Sequence, residues 1–203
     1  QSQENGYFDR EIVPVELPDG ATVAKDDGPR AGSTLEKLSQ LDPTFKEDGK
    51  VTAGNSCPLN DGAAAVLVMS DERASELGLR PRARIVTSAT AAIEPEYMGV
   101  APIGAIRNVL DRAGMTIDDV DTVELNEAFA AQVIPIMDGC GIPLEKLNPH
   151  GGAIALGHPF GMTGARIMTT LLNGLETDDK TIGLETMCVA GGQGQAMLVE
   201  RLD

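Results

Sequence analysis

A chain of 203 residues can bury a substantial core, either as one large domain or as two small ones. It carries 31 acidic and 16 basic residues, and the resulting net charge of −15 argues against broad binding to nucleic acid or to an anionic membrane surface. Three scattered cysteines argue against a disulfide framework or a zinc site, so we expect a reducing, cytoplasmic setting and no bound metal. No apolar run has membrane-spanning length, so no membrane insertion is expected.

The first third of the chain is rich in turn signals. Residues 1–6 are polar and lack an initiator methionine, so we expect the sequence to be a fragment or a processed piece of a protein. Residues up to about 50 are irregular, apart from a short helical pattern of leucines at 35, 38 and 41. Residues 63–69 form a continuous apolar run, which predicts a buried strand or helix segment. Ser70 is placed to cap a helix that starts at Asp71 and ends near Leu77.

The rest of the chain alternates strand and helix patterns. A strand is predicted over 82–90, a helix over 103–113 that ends at Gly114, and a strand over 120–125 that leads into a helix over 126–137. A further helix runs through Ile167 and Leu171 to Gly174. Two apolar runs, 181–187 and 195–202, predict a strand pair joined by a glycine-rich turn. This alternation predicts the α/β class.

Three polar side chains occupy positions suited to chemistry. Asn126 and Cys188 each follow or end a predicted strand, and His158 lies in a loop, residues 148–166, that holds five glycines and both histidines. Taken singly, the three are more often a helix cap, an inert core thiol and a structural imidazole. Together they would make an acid/base pair beside an oxyanion site. His150 is expected to be a surface residue.

Several motifs together resemble the thiolase family, the CoA-dependent enzymes that cleave or form 3-ketoacyl-CoA. They are NEAFA at 126–130, GGAIALGHPFGMTGAR at 151–166 and CVAGGQG at 188–194, preceded by TAGNSCPLNDGAAAVLVMS at 52–70 and MGVAPIGA at 98–105. The resemblance covers essentially the whole chain and is least distinctive before residue 30. It implies a layered α/β/α/β/α fold. Residues 1–59 would be the end of a loop domain, 60–80 a returning segment of the N-terminal core domain, and 81–203 the C-terminal core domain.

The resemblance also implies a division of catalytic roles. The nucleophilic cysteine of the family lies in an N-terminal half that this sequence lacks, and neither Cys57 nor Cys140 matches it. That half is expected as a separate chain or as residues outside this sequence. His158 would activate the nucleophile and donate a hydrogen bond to a thioester oxygen, while Asn126 would hold a water that supplies a second donor. Cys188 would be the acid/base cysteine. CoA would be a co-substrate, with no permanently bound cofactor.

Further positions are assigned by resemblance to the contacts with CoA. Arg30 lies where thiolases carry a cation near the adenine and phosphate end of CoA. Ser56 and Cys57 lie in the loop that touches pantetheine, although Cys57 and Pro58 replace a common Ser-Gly pair.

Other positions are assigned to the acyl pocket and the oxyanion hole. Met98 and Phe129 fall where the family lines the acyl pocket, although core packing is the bland alternative. Ala190 replaces a glycine whose N–H helps to form the second oxyanion hole, and we expect it to have an ordinary, negative φ.

Three alternatives remain open. A ketoacyl synthase would share the fold, but Cys188 and the GHP sequence around His158 favour a thiolase. A non-catalytic thiolase-like protein that binds CoA or lipid, or an inactive fragment, is the second alternative. The third concerns the pathway: fatty acid or lipid degradation, including β-oxidation, and biosynthesis fit equally, as do short acyl and steroid-derived substrates. Thiolases are dimers or tetramers, so a homo-oligomer is expected.

Overall fold

The structure, a computed structural model, describes residues 1–202. Within these residues the α-helices are α1 (Leu35–Leu38), α2 (Asp71–Glu76), α3 (Pro102–Ala113), α4 (Ala130–Cys140), α5 (Ala153–Leu156) and α6 (Thr163–Thr177). The strands are β1 (Val15–Glu16), β2 (Thr22–Val23), β3 (Ala83–Ala92), β4 (Thr122–Leu125), β5 (Ile182–Val189) and β6 (Gln193–Arg201). Short 3₁₀ helices include Tyr7–Arg10 and Pro95–Val100. No helix among the described residues is long and apolar enough to cross a membrane.

A four-stranded mixed sheet in the order β3-β6-β5-β4 organises the fold. Strands β4 and β5 are parallel, whereas β6 is antiparallel to both β5 and β3. Helices α3 and α4 cover one face, and α6 covers the other. The α/β class predicted from the alternating pattern is therefore confirmed.

Strand alternation decides which side chains face which helices. Val123, Leu125 and Leu184 belong to the core under α3 and α4, so Cys188, four residues beyond Leu184 on β5, points to that face. The opposite face meets Leu171 and Leu175 of α6. The two faces therefore carry different side chains to the same strand ends.

A buried carboxylate pair lies on the α6 face. Glu124 and Glu185 are direct neighbours across the parallel β4–β5 pair. Burial raises the pKa of Glu124 to about 8, an effect that Arg166 opposes, and burial alone raises the pKa of Glu185 to about 7. Glu124 therefore favours the protonated form at neutral pH, and Glu185 is partly protonated there.

Apart from the run over 63–69, the predicted helices and strands lie close to their observed bounds, and α4 alone starts markedly later than predicted. Ser70 caps α2 by accepting from the N–H of Arg73, and Gly114 ends α3 with φ 65°. Helix α4 begins at Ala130 rather than at 126, because residues 128–130 make backbone hydrogen bonds with residues 55–57 instead. Asn126 is therefore not a helix cap.

The prediction of a buried element over 63–69 is wrong for the described chain. Residues 60–69 form no helix or strand, and Leu67 and Val68 are 77% and 66% exposed. The physical reason is that no strand among the described residues pairs with this run, so its backbone and its apolar side chains lack a partner.

His150 is not the surface residue that the sequence suggests. Its ring stacks on Tyr7 with centroids 3.8 Å apart, and its Nε2 lies 3.1 Å from Asp178. Tyr7 in turn donates to the Thr170 carbonyl of α6 at 2.9 Å. His150 thus helps to tie the N-terminal segment to α6.

Candidate active site

Two candidate residues lie at neighbouring strand ends. Asn126 directly follows β4, and Cys188 is the penultimate residue of β5. The backbone N–H of Asn126 donates to the carbonyl of Thr186 at 3.0 Å, two residues before Cys188. Because β4 and β5 are parallel, their carboxyl ends meet at one edge of the sheet, where open α/β sheets place ligands.

Asn126 is fully buried, yet both polar atoms of its side chain lack a partner among the described residues. An unpaired buried amide costs on the order of 1–3 kcal/mol, so proteins rarely keep one without a use. The orphaned amide fits a group that binds a ligand or a bridging water.

The loop that carries His158 is tied to the end of β4 by Asn148. The Asn148 side chain accepts from the N–H of Leu125 at 2.9 Å and donates to the Leu125 carbonyl at 3.0 Å. It also donates to Glu127 at 2.7 Å, and the second oxygen of Glu127 accepts from the N–H of Ile154 at 3.1 Å. A Cβ at Gly152 would overlap the Glu127 carboxylate, so this glycine permits the close approach.

Residues 60–62 hold the same loop from the other side. The side-chain oxygen of Asn60 accepts from the backbone N–H of His158 at 3.0 Å. A Cβ at Gly157 would overlap the Asn60 amide, and one at Gly62 would crowd Met162. The position of the imidazole therefore depends on a segment 98 residues earlier in the chain.

Thr163 sets the tautomer of His158. Its hydroxyl donates to the carbonyl of Pro159 at 2.9 Å and lies 2.6 Å from Nδ1 of His158. Because the single hydroxyl proton goes to Pro159, Nδ1–H of the ring must donate to Thr163, and Nε2 of the neutral ring keeps its lone pair.

The surroundings of His158 favour a neutral ring. Burial lowers the pKa of the imidazole, and the charge of Arg166 lowers it further, so the ring is available as a base at neutral pH. The Phe160 ring packs edge-on against it at 4.8 Å. The imidazole opens onto a cavity of about 380 Å³ whose other lining residues are Leu59, Asn60, Asp61 and Phe160.

Cys188 is 7% exposed and holds its proton at neutral pH. Burial raises the pKa of the thiol, the nearby Gln132 amide and the backbone lower it, and the charge of Cys57 raises it. The net effect is an increase. The thiol is therefore placed to donate a proton before it accepts one.

Ser56, Cys57 and Phe129 lie beside these strand ends. Ser56 forms a β-bridge with Phe129, and the N–H of Cys57 donates to the Ala128 carbonyl at 3.0 Å. Phe129 contacts Phe45 edge to face, with ring centroids 5.9 Å apart. The segment that holds Cys57 thus runs next to the residues that follow Asn126.

Met98 and Ala190 are both associated with the glycine turn after β5. Met98 is half-buried in the 3₁₀ helix Pro95–Val100, which packs against this turn. Ala190 is exposed, and the positive φ angles of the turn fall on Gly191 and Gly192, at 84° each. The expectation that Ala190 has an ordinary φ is confirmed.

Arg30 is not brought into contact with the other candidate residues. Its side chain is exposed, and the described residues offer it neither an ion pair nor a hydrogen bond. Its segment does pass the histidine loop, because a Cβ at Gly28 would lie 2.7 Å from the carbonyl oxygen of Ala155.

Sequence reasoning missed the residues that hold the histidine loop in place. They are Asn60, Glu127, Asn148 and Thr163. Glu127 lies inside the NEAFA motif, and Thr163 lies five residues after His158, so both carried a local signal. Asn60 carried no distinguishing signal, since its contact with His158 depends on tertiary structure.

Comparison with known proteins matches two thiolase domains. Residues 79–201 match the family described as "Thiolase, C-terminal domain", and residues 1–72 match "Thiolase, N-terminal domain". An acetyl-CoA acetyltransferase of Allochromatium vinosum is 47% identical over 205 residues, which cover 99% of this chain and 52% of the relative. A beta-ketoadipyl-CoA thiolase of Acinetobacter baylyi is 47% identical over 207 residues, with the same coverage.

Solved structures agree with these relatives. The acetyl-CoA acetyltransferase of Bacillus anthracis superposes with a TM-score of 0.95 at 44% identity, covering 99% of this chain and 52% of that one. Human mitochondrial 3-ketoacyl-CoA thiolase in complex with CoA superposes with a TM-score of 0.91 at 37% identity, covering 99% and 51%. The chain thus spans about half the length of its relatives. On its motifs, its fold and these matches, it belongs to the thiolase family.

Proposed function

We propose that the protein is a thiolase that transfers acyl groups between CoA and 3-ketoacyl-CoA, and that this chain supplies Asn126, His158 and Cys188 to the reaction. One observation carries the proposal: an orphaned amide and a buried thiol end two neighbouring parallel strands, and an imidazole with a free Nε2 lies on a loop tied to one of them. Relatives named acetyl-CoA acetyltransferase support the reaction class.

The first half-reaction needs a nucleophilic cysteine, which we assign to a part of the enzyme outside this chain. Nε2 of His158 takes the proton of that thiol, as the lowered pKa of the ring allows. The thiolate bonds to the 3-keto carbon, and the bond between C2 and C3 breaks. The carbanion of acetyl-CoA then takes the proton of Cys188, whose raised pKa keeps that proton available until this step.

The second half-reaction reverses the proton flow. The Cys188 thiolate takes the proton of an incoming CoA thiol, and the CoA sulfur attacks the acyl-enzyme carbonyl. The bond to the nucleophile breaks, and the released thiolate takes back the proton held at Nε2 of His158. Asn126 orients a donor, directly or through water, toward the oxygen on which charge develops. Such a donor typically lowers the activation barrier by about 3 kcal/mol. The N–H of Ala190 is assigned to the second oxyanion hole.

The CoA and acyl contacts complete the proposal. Arg30 is assigned to the phosphate end of CoA, Ser56 and Cys57 to pantetheine, and Met98 and Phe129 to the acyl pocket. The hydrogen bonds that join residues 55–57 to 128–130 support a shared pocket wall. A solved relative in complex with CoA supports CoA as the co-substrate. We also propose a cytoplasmic dimer or tetramer that acts in fatty acid or lipid metabolism.

The rest of the enzyme is the partner that this chain needs. The apolar run over 63–69 is largely exposed and unpaired within the described residues, and contiguous exposed apolar surface marks an interaction site. The N-terminal half of the enzyme would cover this run and bring the nucleophile to His158.

Intact mass spectrometry after incubation with acetoacetyl-CoA tests the proposal, using the protein as the cell makes it. We expect one acetyl adduct on a cysteine outside this chain, and release of that adduct on addition of CoA. His158→Gln should slow adduct formation severely, whereas the matched variant His150→Gln should form the adduct at the wild-type rate. A protein that binds CoA but never gains an adduct would be a non-catalytic thiolase-like protein, and the proposal would fail.

A further inference from the structure

Gln132 is a buried polar residue that the proposed mechanism does not use. It lies in the first turn of α4 and is 5% exposed. Neither its side-chain oxygen nor its side-chain nitrogen has a hydrogen-bond partner of good geometry among the described residues. Among the buried side chains at this edge of the sheet, Asn126 has the same property. A fully orphaned amide at such a position points to a polar group that it serves.

Gln132 lies on the same side of the sheet as Cys188. Cys188 shares a face of β5 with Leu184, and that face packs against α3 and α4. The 3₁₀ helix Pro95–Val100 lies next to both elements, because it contacts α4, β5 and β6. Within it, a Cβ on Gly99 would lie 3.3 Å from Cγ of Gln132. The Gln132 side chain thus lies against Gly99, on the face of the sheet that carries Cys188.

We infer that Gln132 is a positioning residue for Cys188, whose side-chain amide pairs with the sulfur in both of its protonation states. The N–H of the amide donates to the thiolate, and after rotation of the amide its carbonyl accepts from the thiol. The inference rests on the proposed role of Cys188 as the acid/base of the reaction.

The chemistry of an amide suits this task. An acid/base cysteine must exist as thiol and as thiolate within one turnover, and a charged neighbour would favour one form over the other. An uncharged amide can serve both, and a hydrogen bond to a charged sulfur is stronger than one to a neutral thiol, so the amide favours the thiolate moderately. The direction agrees with the effect of the Gln132 amide on Cys188, which lowers the pKa of the thiol against the larger effect of burial.

The other group that acts electrostatically on Cys188 within the described residues is Cys57, whose charge raises the pKa of Cys188. Two coupled thiols titrate as a pair, so the effect of Gln132 is best measured without the second thiol. A Cys57→Ser background removes this coupling and leaves Cys188 as a single titrating group.

The test is the pH profile of Cys188 alkylation by iodoacetamide, followed by mass spectrometry of the Cys188 peptide in the protein as the cell makes it. Gln132→Met keeps the length of the side chain and removes both hydrogen-bonding atoms. We expect the midpoint of the profile to rise by about one pH unit, which is about tenfold slower alkylation at a fixed pH below the midpoint. Cys140 in the same sample is the internal reference and should keep its profile.

Two further variants separate this role from a merely structural one. Gln193→Met is the matched control. Gln193 begins β6, just after the turn that follows Cys188, but its side chain is exposed and donates to the Ala190 carbonyl. Gly99→Ala displaces Gln132 without touching its amide. It should raise the Cys188 midpoint in the wild-type chain but have no effect in the Gln132→Met chain.

The outcomes are distinct. The inference is overturned if the midpoint of the Cys188 alkylation profile is unchanged in folded Gln132→Met and Gly99→Ala proteins, even where the melting temperature falls. Should Gln132→Met not fold, Gly99→Ala alone decides. Alkylation needs no substrate, so a protein without thiolase turnover would defeat the proposed function while this measurement still reports on Gln132.

Discussion

Two neighbouring regions of the chain differ in whether their apolar residues are buried or exposed. In the sheet region, residues 83–201, Leu184, Leu198 and Ile106 are completely buried between helices and strands. In residues 59–68, Leu59 and Leu67 are 90% and 77% exposed, although the local sequence is just as apolar. The difference shows that an apolar pattern indicates only that a segment requires a packing partner. The topology of the fold determines whether this chain provides that partner. The candidate catalytic groups all lie in the sheet region, but the histidine loop also depends on a hydrogen bond to Asn60 in the exposed segment.

The largest expected effect tests whether the packed region carries the proton transfer. Cys188→Ser in the complete enzyme should lower turnover by about a thousandfold, because a serine hydroxyl cannot exchange protons near neutral pH. The nucleophile should still gain an acyl adduct, which intact mass would detect. Cys140→Ser is the matched control and should keep nearly full activity. Wild-type turnover in the Cys188 variant would remove the acid/base role.

A pair of leucine truncations tests the comparison directly. Leu184→Ala should lower the free energy of unfolding by about 2–5 kcal/mol, because it opens a cavity in the sheet core. Leu67→Ala should change it by less than about 0.5 kcal/mol when this chain is studied without a partner. Urea unfolding followed by circular dichroism measures both. Equal losses would mean that residues 63–69 pack within this chain after all.

The buried carboxylates predict a pH dependence of stability. The pKa of Glu124 is about 8 in the fold, above its ordinary value of 4.5, so the folded chain binds more protons than the unfolded chain between these values. The free energy of unfolding should therefore fall as pH rises, by up to about 1.4 kcal/mol per pH unit from this group. Glu124→Gln should flatten the curve between pH 7 and 8. Glu185→Gln should leave that window steep, because the pKa of Glu185 is about 7.

The smallest expected effect concerns the tautomer of His158. Thr163→Val removes the hydroxyl that accepts from Nδ1, so both ring orientation and tautomer lose their support. We expect kcat to fall about tenfold with KM for CoA unchanged, the cost of about one hydrogen bond. Thr169→Val is the matched control, since its hydroxyl only donates to the Ala165 carbonyl of the same helix. An equal loss in both variants would point to helix stability rather than to the imidazole.

Much of the sheet region could be predicted from local pattern. Strand alternation and helical period located β3, α3 and α6, and Ser70 and Gly114 marked helix ends, because these signals act within a few residues. The start of α4 could not be predicted this way, since long-range backbone hydrogen bonds to residues 55–57 hold 128–130 extended.

The same division applies to the site. Asn126 and Cys188 could be identified because strand ends are recognisable and meet at one edge. Asn60 could not, because its bond to His158 joins residues 98 positions apart. The orphaned amides of Asn126 and Gln132 are visible only once burial is known. Sequence therefore located candidate reactive groups, and tertiary structure was needed to find what holds them.

The hydrogen bond between His158 and Thr163 has a directional consequence. Nδ1–H donates to a hydroxyl whose own proton goes to Pro159, so Nε2 is the ring nitrogen that remains available for proton exchange. It cannot pass a proton through from one nitrogen to the other, as a relay to bulk solvent would. Each proton taken at Nε2 must therefore leave by Nε2. Under the proposed mechanism, the imidazole returns the proton of the nucleophile through the same atom that took it.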